Sequence, residues 1–144
     1  MRRIFLWINF VLASLIVLLV FLQAYFITAY VAGAGEGALD AHGFTGFALI
    51  HGAELLVFLT AFGAWPKQWK WIGFTFLLFV IGTVQIFLTP VEERTNGWVH
   101  GLHGLLALVV MVWAAVIAYR GMRDLGLRRG RAAAAETAPP PPLP

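Results

Sequence analysis

Residues 4–33, IFLWINFVLASLIVLLVFLQAYFITAYVAG, form an apolar run that contains no charged side chain. A helix needs about 20 consecutive apolar residues to cross the hydrocarbon core of a bilayer. This run is therefore long enough to span a membrane as a tilted helix. Three more apolar segments follow it along the chain. We predict four transmembrane helices, at about residues 4–32, 42–65, 71–90 and 98–120.

The composition is that of a membrane protein. Of the 144 residues, 60% are hydrophobic and only 12% are charged, and the mean hydropathy is +0.82. Such a chain has too little polar surface to coat a soluble domain. The absence of cysteine excludes disulfides, thiolate metal sites, thioether-attached haem and cysteine catalysis. We expect one all-α, integral membrane four-helix domain over residues 1–122, with the lipid bilayer as its surroundings.

The basic residues predict the orientation of this domain. Short connections make neighbouring helices antiparallel, which favours an up-down-up-down bundle. If the N-terminus is cytoplasmic, Arg94 is the single basic residue on the outer side, and the cytoplasmic side holds the rest, as the positive-inside rule requires. These are Arg2, Arg3, Lys67, Lys70, Arg120, Arg123, Arg128, Arg129 and Arg131. We predict a multi-pass protein of the cell inner (plasma) membrane with both termini cytoplasmic.

The segments outside the helices have simple expected roles. The first apolar run is longer than the roughly 7–15 residues of a signal-peptide core, so we expect an uncleaved first helix. Residues 33–41, GAGEGALDA, are glycine-rich and predict an outer loop. Residues 123–144 are basic and then rich in alanine and proline, which predicts a disordered cytoplasmic tail. Because the basic residues flank spans and form no binding motif, they predict contact with lipid head groups and no nucleic acid partner; a homo-oligomer is compatible with this chain.

Four histidines, His42, His51, His100 and His103, lie in the second and fourth predicted helices, and each precedes a glycine. These two helices run in the same direction, so all four histidines belong to the outer half of the membrane. A polar side chain in a span is costly and usually functional. Three interpretations compete: haem ligands, interhelical hydrogen-bond partners, and interfacial residues that meet water. A four-helix bundle holds cofactors with side chains from facing helices, and neutral imidazole is an axial haem ligand, so the chemistry favours haem b.

Helical geometry restricts how these histidines can pair. His42 and His51 are nine residues apart and face opposite ways in an α-helix, whereas His100 and His103 differ by about 60° and can share a face. Counting about 1.5 Å per residue from the predicted inner helix ends places His51 level with His103. The same count separates His42 from His103 by about 10 Å. Residue counting alone therefore favours the pair His51 and His103.

Three motifs carry a resemblance to known proteins. HGFTG at residues 42–46, GTVQIFL at 82–88 and GLHGLLAL at 101–108 resemble a family of small, uncharacterised bacterial four-helix membrane proteins. They are also similar, more distantly, to one half of haem A synthase, whose four-helix halves each carry haem-ligating histidines on the second and fourth helices. The resemblance covers residues 42 to about 110.

The resemblance implies that His42 and His103 are the axial ligands of the haem iron and that Gln85 lies near them. It leaves His51 and His100 as the remaining candidate cofactor-binding residues. The synthase usually has an arginine after the histidine, where this chain has Gly43, so a contact with a haem propionate is not implied. The resemblance covers only half of the synthase, so methyl oxidation is not implied either. Two histidine ligands would occupy both axial positions of the haem iron and leave no position for oxygen. This favours electron transfer with a quinone or a membrane redox partner over oxygen chemistry. We therefore expect an electron carrier and do not predict an enzyme.

Glu54 is the one acidic residue expected inside a span. An ionised carboxylate there is costly, so we expect it to be protonated or bonded to His51, Gln85 or a water molecule. A di-metal site would need four or more converging ligands and is not expected. Glu54 and His51 together are a candidate proton relay. Two alternative functions follow: a proton- or ion-conducting protein centred on Glu54, and a cofactor-free structural or assembly subunit in which histidines, Gln23 and Gln85 join helices by hydrogen bonds.

Overall fold

The computed structural model describes residues 1–88 and 97–127, and all the regular structure in this part of the chain is helical. The all-α class is thus confirmed for the described residues. The elements are α1 (Arg2–Ala29), a π-helical turn (Tyr30–Ala34), α2 (Glu36–Phe44), a second π-helical turn (Thr45–Ile50), α3 (His51–Ala64), α4 (Trp69–Phe87) and α5 (Gly97–Asp124). The predicted third-helix end at residue 90, the loop that carries Arg94, and the tail from residue 128 lie outside the described residues.

These elements make four helices that are long and apolar enough to cross a membrane, as predicted. The first combines α1 with the π turn after it. The second is continuous from Glu36 to Ala64 and comprises α2, the π turn Thr45–Ile50 and α3. Helices α4 and α5 supply the third and fourth.

The outer loop predicted at residues 33–41 is wrong, because α2 already begins at Glu36. The direction of the chain changes at two glycines, Gly33 (φ 92°) and Gly35 (φ 86°). Glycine adopts positive φ at little cost, so the reversal needs only a few residues. The amide of Ala38 then donates to the carbonyl of Gly35 at 3.1 Å, and the acidic Glu36 in the first turn suits the positive end of the helix dipole.

The fourth helix extends further than the predicted end at residue 120. Helix α5 continues to Asp124, and Gly126 follows it in the left-handed conformation at φ 78°. The indole Nε1 of Trp65, at the end of α3, donates to Oδ2 of Asp124 at 2.8 Å. Arg120 donates to the same oxygen from Nε at 3.0 Å. Trp65 and Asp124 therefore lie at one level of the molecule.

The helices pack as a ring in which α1 and α4 each contact both α3 and α5. The core between them consists mainly of aliphatic side chains and alanines, and small residues allow helices to approach closely. Polar groups join the helices at several heights. Asn9 of α1 donates to the carbonyl of Val57 of α3 at 2.7 Å, and Trp113 of α5 donates to the carbonyl of Phe74 of α4 at 3.0 Å.

Large apolar side chains cover the outside of the ring. Phe44, Phe47 and Phe87 are 63%, 67% and 82% exposed, and many leucines and valines of all four helices are exposed too. A soluble monomer rarely exposes contiguous apolar surface on this scale. This exterior is compatible with lipid contact.

Candidate functional site

His42 of α2 and His103 of α5 lie side by side, with ring centroids 6.3 Å apart and ring planes inclined by 53°. Both side chains are partly buried. Nδ1 of His42 lies 3.1 Å from the backbone carbonyl oxygen of Gln23. Nδ1 of His103 lies 3.0 Å from the backbone carbonyl oxygen of Gln85. The two rings thus have matching partners on the helix that precedes each of them in the chain.

Each glutamine also bonds back to its histidine. The side-chain Nε2 of Gln23 donates to the backbone carbonyl of His42 at 2.8 Å, and Nε2 of Gln85 donates to that of His103 at 3.3 Å. The members are 19 residues apart in the first pair and 18 in the second. The structure therefore contains two similar reciprocal pairs, Gln23–His42 and Gln85–His103.

The hydrogen bonds from Nδ1 to the glutamine carbonyls define the tautomer of both imidazole rings. A backbone carbonyl can only accept a hydrogen bond, so Nδ1 must carry the proton that it shares with the glutamine carbonyl. In the neutral ring, Nε2 then has the lone pair. Metal-binding histidines usually donate their other ring N–H in this way to a carbonyl or carboxylate, which fixes the ring orientation.

Glycines around the pair either make a close contact or border open space. A Cβ on Gly46 would lie 2.6 Å from Nε2 of Gln23, so this glycine leaves room for the amide that bonds His42. Cβ atoms on Gly43, Gly101 or Gly104 would meet nothing within 4 Å. These three glycines therefore border open space at exposed positions of α2 and α5.

The expectation that His51 lies level with His103 is wrong, because the inner helix ends were set incorrectly. The Trp65–Asp124 hydrogen bond supplies a common level. His42 lies 23 residues before Trp65, and His103 lies 21 residues before Asp124. At about 1.5 Å per residue, these two histidines differ by only about 3 Å in height. His51 lies about 10 Å below His103 on the same scale.

His51 and Glu54 form a separate pair on α3. Nδ1 of His51 lies 3.0 Å from Oε2 of Glu54, whose side chain is 1% exposed. The ring of His51 stacks on Phe79 of α4, with centroids 4.8 Å apart. The expected proximity of Glu54 and His51 is thus present, and neither group is hydrogen-bonded to Gln85 in the described part of the chain.

His100 is the fourth histidine, and it is exposed on α5 near the start of that helix. The structure does not bring it together with the other three. Within residues 1–88 and 97–127, no three histidine, aspartate or glutamate side chains converge as a metal-binding group.

Gln23 also belongs to this group of residues, although its position in the sequence predicts only a hydrogen bond between helices. The signal was the near-equal spacing from glutamine to histidine, Gln23 to His42 and Gln85 to His103, in helices that follow one another. That spacing becomes informative only when both pairs are known to cross between neighbouring helices.

Comparisons with protein-family models, with curated proteins and with solved structures found no match for this chain.

Proposed function

We propose that this chain is a small integral membrane cytochrome of the b type that transfers electrons. In this proposal a haem b lies between the second and fourth spans near the outer face, and His42 and His103 are its axial ligands. The observation that carries the proposal is the 6.3 Å separation of these two rings, with Nδ1 of each ring on a backbone carbonyl.

The separation of the rings fits one metal ion between them. An imidazole nitrogen binds a first-row metal at about 2 Å, so two imidazoles on opposite sides of one ion have centroids roughly 6 Å apart. Aromatic rings that pack without a ligand also have centroids about 4.5–7 Å apart, so the separation is compatible with a metal ion and does not require one.

The hydrogen bonds of the rings fit the same ligand role. A proton on Nδ1 leaves the lone pair of Nε2 for the metal, and the carbonyl on the other side makes the imidazole a stronger donor. Gln23 and Gln85 are the positioning residues in this account. With both axial positions occupied by imidazole, the haem would supply a one-electron carrier with no open site for oxygen. A quinone or a membrane redox protein is the partner class that fits.

The similarity to one half of haem A synthase supports the same choice of ligands. It does not extend to the reaction of that enzyme, because the resemblance covers only one of the two halves of the synthase. We therefore propose electron transfer and do not propose oxidation of a haem methyl group.

The proposed location is the cell inner membrane, with four up-down-up-down spans and both termini cytoplasmic. The hydrogen bonds support the alternating direction, since Asn9 bonds Val57 whereas Gln23 bonds His42. From the first pair to the second, the residue number increases in the first helix and decreases in the second helix, as it must when two helices are antiparallel. The exposed apolar exterior supports the location in a membrane. The excess of basic residues on one side supports the proposed orientation.

A cofactor-free structural or assembly subunit is the second candidate. One observation favours it: within each of the pairs Gln23–His42 and Gln85–His103, the two residues are hydrogen-bonded to each other. These bonds would join helices without any ligand. Such interhelical bonds in membranes contribute about 1 kcal/mol each.

An absorption spectrum of the protein and its histidine variants separates the two candidates. The chain is expressed with ample haem, purified in detergent, and examined for a Soret band. We expect the band in the unchanged protein, its loss in His42→Ala and in His103→Ala, and its retention in the control His100→Ala, which alters an exposed histidine. Circular dichroism checks that the variants remain helical. Protein without a Soret band would favour the cofactor-free subunit, and loss of the band in His51→Ala but not in His42→Ala would refute this ligand pair.

A further inference from the structure

We propose that His51 and Glu54 bind one proton when an electron is added at the His42–His103 site. This inference rests on the proposed haem function, but it concerns side chains that lie apart from the haem ligands. The electron would come from a membrane reductant such as a quinol or a redox protein, and the proton from water at the membrane surface. One negative and one positive charge are then added together.

The position of Glu54 is the first observation behind the proposal. The side chain is 1% exposed, and Oε2 lies 3.0 Å from Nδ1 of His51. The other carboxyl oxygen, Oε1, is buried and has no hydrogen-bond partner among the described residues. An unpaired polar atom in such surroundings costs free energy, so a role that requires it is expected.

The fold makes a specific place for this carboxyl group. A Cβ on Gly82 of α4 would overlap the carboxyl atoms of Glu54. The carboxyl therefore occupies the space that any other residue at position 82 would fill. Glu54 is packed directly against the neighbouring helix and is not simply turned inward from α3.

His51 is the more exposed member of the pair. One ring nitrogen bonds Glu54, while the side chain remains 21% exposed. The ring is held by stacking on Phe79 with an interplanar angle of 16°. A proton bound by either group can therefore be shared through the existing hydrogen bond.

Few other ionisable groups can compete with the pair. Within the described residues, α1 has no acidic, basic or histidine side chain after Arg3, although it has Tyr25, and α4 has only Lys70 at its inner end. Helices α2 and α5 and their π turns carry the others near the two ends of the molecule: Tyr30, Glu36, Asp40, His42, His100 and His103 at one end, and Tyr119, Arg120, Arg123 and Asp124 at the other.

The coupling between the two sites has an expected size. With His51 neutral and Glu54 ionised, the pair carries one negative charge, and binding of one proton makes the pair neutral. His51 lies nine residues from His42, or roughly 13 Å along a helix. At an effective dielectric constant of about 20, unit charges at this distance change each other's binding equilibrium by about tenfold. Reduction should therefore raise the affinity of the pair for a proton about tenfold.

The midpoint potential of the haem-loaded protein, measured as a function of pH, tests the inference. A tenfold coupling makes the potential fall by about 59 mV in total between the low-pH and high-pH limits. We expect most of this fall to be lost in Glu54→Gln and in His51→Gln. The control Glu36→Gln, which removes an exposed carboxylate of α2, should keep it.

The outcomes distinguish this inference from the haem proposal. Protein without a Soret band refutes both. A Soret band with the same fall in potential in all three variants refutes the proton site alone. If the substitutions prevent folding, the infrared difference spectrum of the unchanged protein between its oxidised and reduced states replaces them. We expect a carboxylic acid signal that shifts in heavy water, and a spectrum without any such signal would refute the inference.

Discussion

Gln23 and Gln85 each hold a histidine of the neighbouring helix by two hydrogen bonds, one from the amide side chain and one to the backbone carbonyl. The two bonds act on different parts of the histidine. The bond from the amide attaches the glutamine to the backbone of the histidine, and the bond to the carbonyl orients the ring. The side chain of Gln23 is therefore bonded to the backbone of His42, and the backbone of Gln23 is bonded to the ring.

Replacing Gln23 should weaken haem binding without removing a ligand. In Gln23→Leu, the donor to the His42 carbonyl is lost while the ring nitrogens remain. Loss of such supporting bonds typically lowers metal affinity by about 10- to 100-fold, so we expect a decrease in that range when haem is titrated into haem-free protein. The control is Gln68→Leu, the same change at the opposite end of the molecule. Equal affinities for the two variants would contradict the positioning role.

At the scale of single residues, the apolar pattern selects the histidines as candidates, and residue counting does not pair them correctly. Only the resemblance implies the pair His42 and His103, whose rings lie side by side in the structure. Polar side chains in apolar helices are few, so His42, His51 and His103 were visible at once. Their pairing depended on heights that a residue count could not provide, because the level of α5 is fixed by a contact between Trp65 and Asp124. Such contacts between distant parts of the chain have no local signal.

The second span is the element in which local geometry matters most. The π turn Thr45–Ile50 lies between His42 and His51. Such turns widen the helix and often occur at functional sites. The predicted rotation of about 180° between the two histidines applies to an uninterrupted α-helix, so it does not describe this segment. The structure nevertheless directs the two rings to different neighbours, His42 to Gln23 and His51 to Phe79.

Helix α4 supplies a direct test of the packing around Glu54. In Gly82→Ala, the new methyl group would overlap the Glu54 carboxyl, and overpacking of this kind typically costs about 1–3 kcal/mol. We expect thermal unfolding in detergent at a lower temperature than for the unchanged protein. In the control Gly73→Ala, on the same helix, the methyl group meets nothing within 4 Å. That variant should be as stable or slightly more stable, because alanine favours a helix over glycine. Similar unfolding temperatures for both variants would contradict the close contact.

The elements themselves were largely predictable, and their ends were not. Long apolar runs identify four helices because a span has a minimum length. The start of the second helix was missed because residues 36–41 contain both acidic residues and glycine, which resemble a loop in sequence. The structure shows that the two positive-φ glycines before them complete the reversal, so the following residues are free to be helical.

The whole molecule is expected to have one orientation in the membrane. The chain lacks cysteine, so single cysteines can be introduced and labelled with a reagent that does not cross membranes. Glu36 and Lys70 are both exposed. Each lies at the start of its helix, and because the two helices are antiparallel in the proposed bundle, the residues belong to opposite ends of the molecule. We expect labelling of Glu36→Cys from the outside and labelling of Lys70→Cys only after the membrane is permeabilised. The reverse pattern would place both termini outside and contradict the positive-inside argument.

The central claim is that His42 and His103 hold one haem iron from its two sides. Electron paramagnetic resonance of the oxidised, haem-loaded protein tests it most directly, because the spin state reports the two axial ligands together. With imidazole on both sides, we predict a low-spin ferric signal that becomes high-spin in His42→Ala and in His103→Ala wherever those variants retain haem. A high-spin signal from the unchanged protein, or a low-spin signal that survives both substitutions, would contradict the claim.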